Sequence, residues 1–315
     1  MRIMKPQLVW GKYFIKSKRD IALNKFHMGK YVKCAYKQPV DLNYEDAQRQ
    51  IYAWIRNGDA KLIARYGSNE AYATAEAIGV ALHMKRHIRP AVLTSLCRNA
   101  GVFPYGESTV FRFGMLMKEL SSEVDMLGRW KSIMQDYCIN TLCRKDCILT
   151  HLANLEPFQS DRPWTAALQG KRVLVVHPFK ETIEQQYQRR EKLFARPDIL
   201  PQFDLTVVRA VQTAAYQKDG RFSDWFEALD YLYQEAMSKE FDVALIGCGA
   251  YGLPLGAMLK RSGKTAVHFG GALQLLFGII GRRWEHSPLI NEYWIRPLPS
   301  ETPERMAEVE GGCYW

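Results

Sequence analysis

Two glycine-bearing turns hold the residues best suited to chemistry. The first is Arg65-Tyr-Gly-Ser-Asn-Glu70. An arginine there can fork onto phosphate oxygens, and Gly67 permits the close turn that brings backbone near a ligand. Ser68 or Asn69 could instead cap a following helix, with Glu70 in its first turn favoured by the helix dipole. The second is Gly247-Cys-Gly-Ala-Tyr-Gly252, which fits G-x-G-x-x-G after an apolar run,. Gly247, Gly249 and Gly252, with Tyr251 between them, read as a tight turn approaching a phosphate or sugar. A nicotinamide site also needs an acid at the end of the next strand. That segment reads His268-Phe-Gly-Gly271, so no NAD is expected, and an NAD(P)-dependent oxidoreductase is the third reading of function. Cys248 has no His or Asp beside it in sequence to make it a nucleophile. Gly270 and Gly271 repeat the strand-to-helix logic, with Gln274 following as a polar contact. His177, before Pro178, is either a structural histidine or a ligand contact.

The elements that position these turns follow from hydrophobic spacing. Residues 43–57 read as a helix closed by Asn57-Gly58, residues 61–67 as a strand entering a turn, and residues 71–84 as a helix. A strand is expected at 124–128 and a helix over 138–155. After residue 160 the strand signals strengthen, at 171–178, 204–209, 242–247 and 263–270. Helices are expected at 225–237 and 253–261, with another beginning at 272–277. Near-continuous apolar runs such as Val173-Leu-Val-Val176 suit strands buried on both faces,. The fold class is α/β, a doubly wound, mostly parallel sheet with flanking helices. Ligands of such sheets sit outside the carboxyl ends of the strands, where both turns and His177 fall. The chain divides into a basic, irregular extension (1–42), an N-terminal α/β half (43–160) and a C-terminal half with the Gly-rich loops (161–315).

Composition narrows the class. The 315 residues are 47% hydrophobic and 24% charged, with a formal charge of +10, as expected of a folded globular chain. No apolar run reaches 18 residues, and lysines interrupt the N-terminus, so neither a membrane span nor a signal peptide is expected. Seven scattered cysteines suit a reducing, cytoplasmic setting,. Cys138, Cys143, Cys147 and His151 invite a zinc reading. On one helix the last three would be spread over roughly 12 Å, too far for one tetrahedral ion. The basic residues come in short groups without a nucleic-acid motif, so no nucleic-acid partner is expected. Peripheral contact with an anionic membrane, at its inner face, fits the charge better.

The segment Leu62-Ile-Ala-Arg-Tyr-Gly-Ser-Asn-Glu70 resembles the R-(F/Y)-G-D-G-E turn of the GT-D type glycosyltransferases, bacterial surface-glycan enzymes with a Rossmann-like fold. The resemblance extends through Val173-Leu-Val-Val-His-Pro-Phe179, Ala210-Val-Gln212, Trp225-Phe-Glu-Ala-Leu229 and the run from Asp242 to Pro254. It continues through the run from His268 to Gly278, then Gly281-Arg-Arg-Trp284 and Glu310-Gly-Gly-Cys-Tyr-Trp315. It covers about residues 60–315 and is similar to the branch found in polysaccharide-biosynthesis clusters. The resemblance implies transfer of a sugar from a nucleotide sugar to a glycan or lipid-linked glycan acceptor, usually with Mn²⁺ or Mg²⁺. In the family the Asp-x-Glu of the first turn binds metal and donor. Glu70 matches the Glu, as metal ligand or catalytic base, whereas Ser68 stands where the Asp should be. Losing that carboxylate weakens a hard-cation site. Donor contacts are then expected from Arg65, Tyr66, Gly67 and Ser68, from His177 and the two glycine loops, and from Gln274. Arg282 and Arg283 would stabilise the leaving diphosphate. A catalytically degenerate nucleotide-sugar-binding or scaffold protein of glycan assembly is the alternative.

Overall fold

The computed structural model describes residues 4–24, 34–217, 219–309 and 311–315. Eight strands form one sheet with every pairing parallel. They are β1 (Asp41–Leu42), β2 (Leu62–Arg65), β3 (Met126–Arg129), β4 (Ile148–His151), β5 (Arg172–His177), β6 (Asp204–Arg209), β7 (Val243–Ile246) and β8 (Thr265–His268). Their spatial order is β1-β4-β3-β2-β8-β7-β5-β6. The α-helices among the described residues are α1 (Pro6–Asn24), α2 (Tyr44–Asn57), α3 (Ser68–Ala81), α4 (Pro90–Ala100), α5 (Glu107–Leu120), α6 (Gln135–Leu142), α7 (Lys180–Tyr187), α8 (Trp225–Met237), α9 (Gly252–Arg261) and the single turn α10 (Leu273–Leu276).

The apolar runs explain the layers. In β5, Val173 and Val175 face one core with Trp164, Ile183 and Phe277. Leu174 and Val176 face the opposite core with Trp225 and Ala257. A strand covered on both sides needs apolar residues at every position, which is what the α/β expectation rested on. Asn43 caps α2 by accepting from the Asp46 amide, and Gly58 closes the helix in the left-handed region at φ 73°,.

Three expectations are corrected. Residues 6–24 are helical, not irregular: Trp10 is buried and donates from Nε1 to the Ala75 carbonyl at 2.8 Å. The rest of that extension falls partly outside the described residues. Residues 138–155 are not one helix. α6 stops at Leu142, Cys143 is extended, and Ile148–His151 pairs with β3 as β4. Strand pairing there overrides the local spacing, and the single-helix argument against zinc loses its premise. Residues 272–277 shrink to the single turn α10. Among the described residues, no helix is long and apolar enough to cross a membrane.

Residues before 160 supply β1–β4 and those after supply β5–β8, joined where Leu62 and Ile63 pair with Ala266 and Val267. Asp125 secures the amino-terminal edge of that seam. It is 3% exposed, accepts from the Leu62 amide at 2.8 Å and pairs with Lys260 at 2.7 Å and Arg144 at 3.2 Å. Replacing Asp125 with Ala strands those donors and should cost roughly 3–5 kcal/mol in urea unfolding; an unchanged midpoint would remove this role.

Candidate functional site

Because all strands run one way, their carboxyl ends share one edge of the sheet. Arg65 ends β2, Arg129 β3, His151 β4, His177 β5, Arg209 β6 and His268 β8. Helix α3 begins three residues after Arg65, and its amino-terminal N–H groups add positive potential to the same edge,. The chain runs from β5 out to β6, then returns across β5 to β7, which makes the β5/β7 junction a switch point where such sheets bind ligands,. A cleft of about 1180 Å³, part of it open to solvent, lies over this junction and over the ends of β2 and β8.

The cleft wall is built by seating side chains on glycines. The Glu70 carboxylate folds back over Gly67, where a Cβ would collide with it. A Cβ on Gly270 would lie 2.6 Å from Arg65 Nη1, and one on Gly247 would lie 2.7 Å from His177 Cδ2. His268 lies on Gly252, and Tyr314 on Gly271, equally closely. These glycines are small because functional groups from other elements occupy the space their side chains would need. The N-cap of α3 is Gly67 and makes no side-chain cap bond; Asn69 instead accepts from the Ser95 hydroxyl at 2.7 Å. Neither Ser68 nor Asn69 is therefore the cap.

Burial sets the charge state of the site. His177 is held as the neutral imidazole, its pKa pushed down to about 3 by desolvation,. The Phe179 amide donates to its Nδ1 at 3.1 Å, leaving the ring proton on Nε2,. His268 is likewise pushed down to about 3, by burial first and then by the Arg65 charge. Burial drives the Cys248 thiol up, so it is not activated as a nucleophile,. Four buried polar atoms of cleft-lining residues have no protein hydrogen-bond partner: Arg65 Nε, the Tyr251 hydroxyl, His268 Nδ1 and Gln274 Oε1. Unsatisfied buried groups are costly, so a polar ligand would gain by meeting them.

All the nominated residues line the cleft except Tyr66, Gly252 and Arg282. The Tyr66 ring is wholly buried in the core, its hydroxyl bonded to Ser121, and only its carbonyl reaches the turn, accepting from Trp130 Nε1 at 3.0 Å. Gly252 lies behind His268. The Arg282 side chain is exposed and directed to the Gly311 carbonyl, while Arg283 does line the cleft. Sequence reasoning passed over His268, Trp130, Phe179, Tyr314 and Trp315 as lining residues. The signal for His268 was its place at a strand end. The two last aromatic residues are fixed there by the tail, through Gln274 Nε2 to the Tyr314 carbonyl at 3.1 Å and the Arg282 amide to the Trp315 carbonyl at 3.0 Å.

The donor set for a divalent cation is poor. Glu70 is the one carboxylate among the described residues lining the cleft. No three His, Cys, Asp or Glu side chains among the described residues converge to hold an ion. Hard cations favour several charged oxygens, so the described residues do not by themselves form a protein-held Mn²⁺ or Mg²⁺ site.

No family model matches the sequence, and no curated protein does. Two solved structures are similar in arrangement. One is described as "Selenomethionine substituted structure of domain of unknown function 1792 (DUF1792)", at 11% identity and a TM-score of 0.42. The other is "The highly conserved domain of unknown function 1792 has a distinct glycosyltransferase fold", at 12% identity and a TM-score of 0.38. Each alignment covers 82% of this chain and 82% of the other.

The buried histidines give the protein a pH signature. Below about pH 6.5 an unfolded histidine takes a proton that His177 and His268 refuse until about pH 3,. Stability is therefore whole above pH 6.5 and falls as the pH drops, by about 1.4 kcal/mol per pH unit for each ring. Urea unfolding between about pH 7 and pH 5 should show this slope, and His268→Gln should cut it by about half. An unaltered slope in that variant would mean that His268 is not held neutral.

Proposed function

We propose that this chain is a glycosyltransferase whose cleft takes a nucleotide sugar and passes its glycosyl group to a hydroxyl of a glycan or lipid-linked glycan in surface-polysaccharide assembly. One observation carries the reading: a fixed cation and a carboxylate share one wall, Arg65 seated on Gly270 and Glu70 folded over Gly67. A diphosphate calls for the first and an acceptor hydroxyl for the second. The Arg65 guanidinium presents a planar fork of donors that matches phosphate oxygens, and its Nε is unused by the protein,. The α3 amino-terminus adds backbone N–H groups beside it,.

In the transfer, the bond from the sugar anomeric carbon to the diphosphate oxygen breaks, and its electron pair leaves with the nucleoside diphosphate. Arg65 and the helix end offset the charge that grows there. The acceptor oxygen forms the new bond to the anomeric carbon, and its proton passes to Glu70. Trp130, Tyr314 and Trp315 offer flat apolar faces to a sugar ring or base,. Ser68 in place of an acid, with Glu70 the one carboxylate among the described lining residues, favours one second reading: a protein that binds the nucleotide sugar without turning it over.

Calorimetry and thermal shift with a panel of nucleotides and nucleotide sugars, with and without Mn²⁺, test both. The cognate donor at a hundredfold excess over its Kd should add about 2.7 kcal/mol of stability. Arg65→Ala should weaken it roughly tenfold to a hundredfold, the range expected of a charge-assisted hydrogen bond. Glu70→Gln should keep donor binding and abolish transfer. Tight donor binding by the wild type with no transfer or hydrolysis would favour the binding protein; no stabilisation by any nucleotide would end the transferase reading.

A further inference from the structure

Helix α1 is apolar on two faces. Its inner face packs on the protein: Trp10 against Ala75 and Gly79 of α3, Tyr13 against Tyr137 of α6, and Lys16 onto Asp136 at 2.8 Å. Its outer face leaves Leu8 60% and Ile15 72% exposed, with Met4 and Leu23 also open. At 100° per residue, Met4, Leu8 and Ile15 fall on one stripe, and Lys5, Lys12 and Arg19 lie along its flank. All three cationic side chains are exposed.

The net positive charge of the chain falls mainly in the sequence around α1, with Lys12, Lys16, Lys18 and Arg19 on the helix itself. The first forty residues hold ten basic side chains and a single acid, Asp20. That leaves a net charge of about +1 for the remaining residues of a chain whose formal total is +10. Asp20 is 1% exposed and turned inward, bonded to Lys16 at 3.1 Å and Arg19 at 3.4 Å. The described outer face of α1 therefore presents apolar and cationic groups with no carboxylate among them.

We infer that the outer face of α1 docks on an anionic lipid surface, Leu8 and Ile15 entering the interface while Lys5, Lys12 and Arg19 meet the headgroups. Single exposed apolar residues are ordinary; a stripe of them bordered by cations is what an interfacial helix needs. Basic residues near an anionic bilayer are drawn to its negative surface potential. A second copy of this chain fits the face less well, because Lys12 and Arg19 would meet like charges. A nucleic acid would leave Leu8 and Ile15 without apolar contact. This inference stands whether or not the cleft transfers sugars.

The test is sedimentation of the full chain with phosphatidylcholine vesicles containing phosphatidylglycerol, against vesicles of phosphatidylcholine alone. The wild type should pellet with the anionic vesicles, less so as salt rises, and not with the neutral ones. Leu8→Gln with Ile15→Gln, and separately Lys12→Glu, should each weaken binding at least about tenfold. Circular dichroism and melting of both should match the wild type, since the altered side chains are exposed, and Lys12→Arg should retain binding. Absence of binding to either vesicle, or variants that bind as well as the wild type, would overturn the inference. So would a wild-type dimer that the double variant converts to monomer, which would assign the face to a second copy.

Discussion

Two residue pairs, Leu62 with Ala266 and Ile63 with Val267, make one sheet of what would otherwise be two four-stranded ones. They are separated by about two hundred residues of chain. The cleft sits on the carboxyl side of this seam and draws Arg65 and Glu70 from the first half, and His177, Gly247 and Gly270 from the second. A short pairing can carry this because both faces around it are dry. Leu62 and Ala266 enter one core layer, and Ile63 and Val267 the other. The buried Asp125 then ties the amino-terminal edge of β2 to α9. Register at the seam in turn fixes where Arg65 and His268 stand relative to each other, since a slip of one residue would reverse their faces.

The glycines of the cleft show how one residue type serves both packing and chemistry. A fingerprint loop is ordinarily explained by phosphate meeting bare backbone. Here the first and last glycines of the Gly247–Gly252 loop give their space to His177 and His268. The loop still fronts the cleft, and what faces the opening is a wall of imidazole and guanidinium groups on a backbone floor. Substituting a larger residue at these positions would displace the polar groups before it touched any ligand.

How much of this the sequence declares depends on whether the forces are local. β5 to β8 are legible because strands covered on both faces spell continuous apolar runs. β4 is not, because Cys147 to His151 follow helical spacing and become a strand only through their pairing with β3. α1 escapes because its apolar residues divide between two faces and give no single stripe. At the cleft, Arg65 and Gly67 are legible from their own turn, and Glu70 from the resemblance of that turn to a family motif. His268 requires knowing that Gly252 lies opposite, and Tyr314 requires knowing that the tail returns to Gln274. Those are facts of the assembled fold.

The two buried imidazoles have a consequence for any enzymology done on this cleft. Histidines usually make an active site its own pH meter, but these two are electrically silent across the physiological range. The two imidazoles thus add no changing charge to this wall from mildly acidic to mildly basic solution. A pH dependence of ligand affinity would then have its origin outside these two rings, the ionisation of the ligand's own phosphate among the sources.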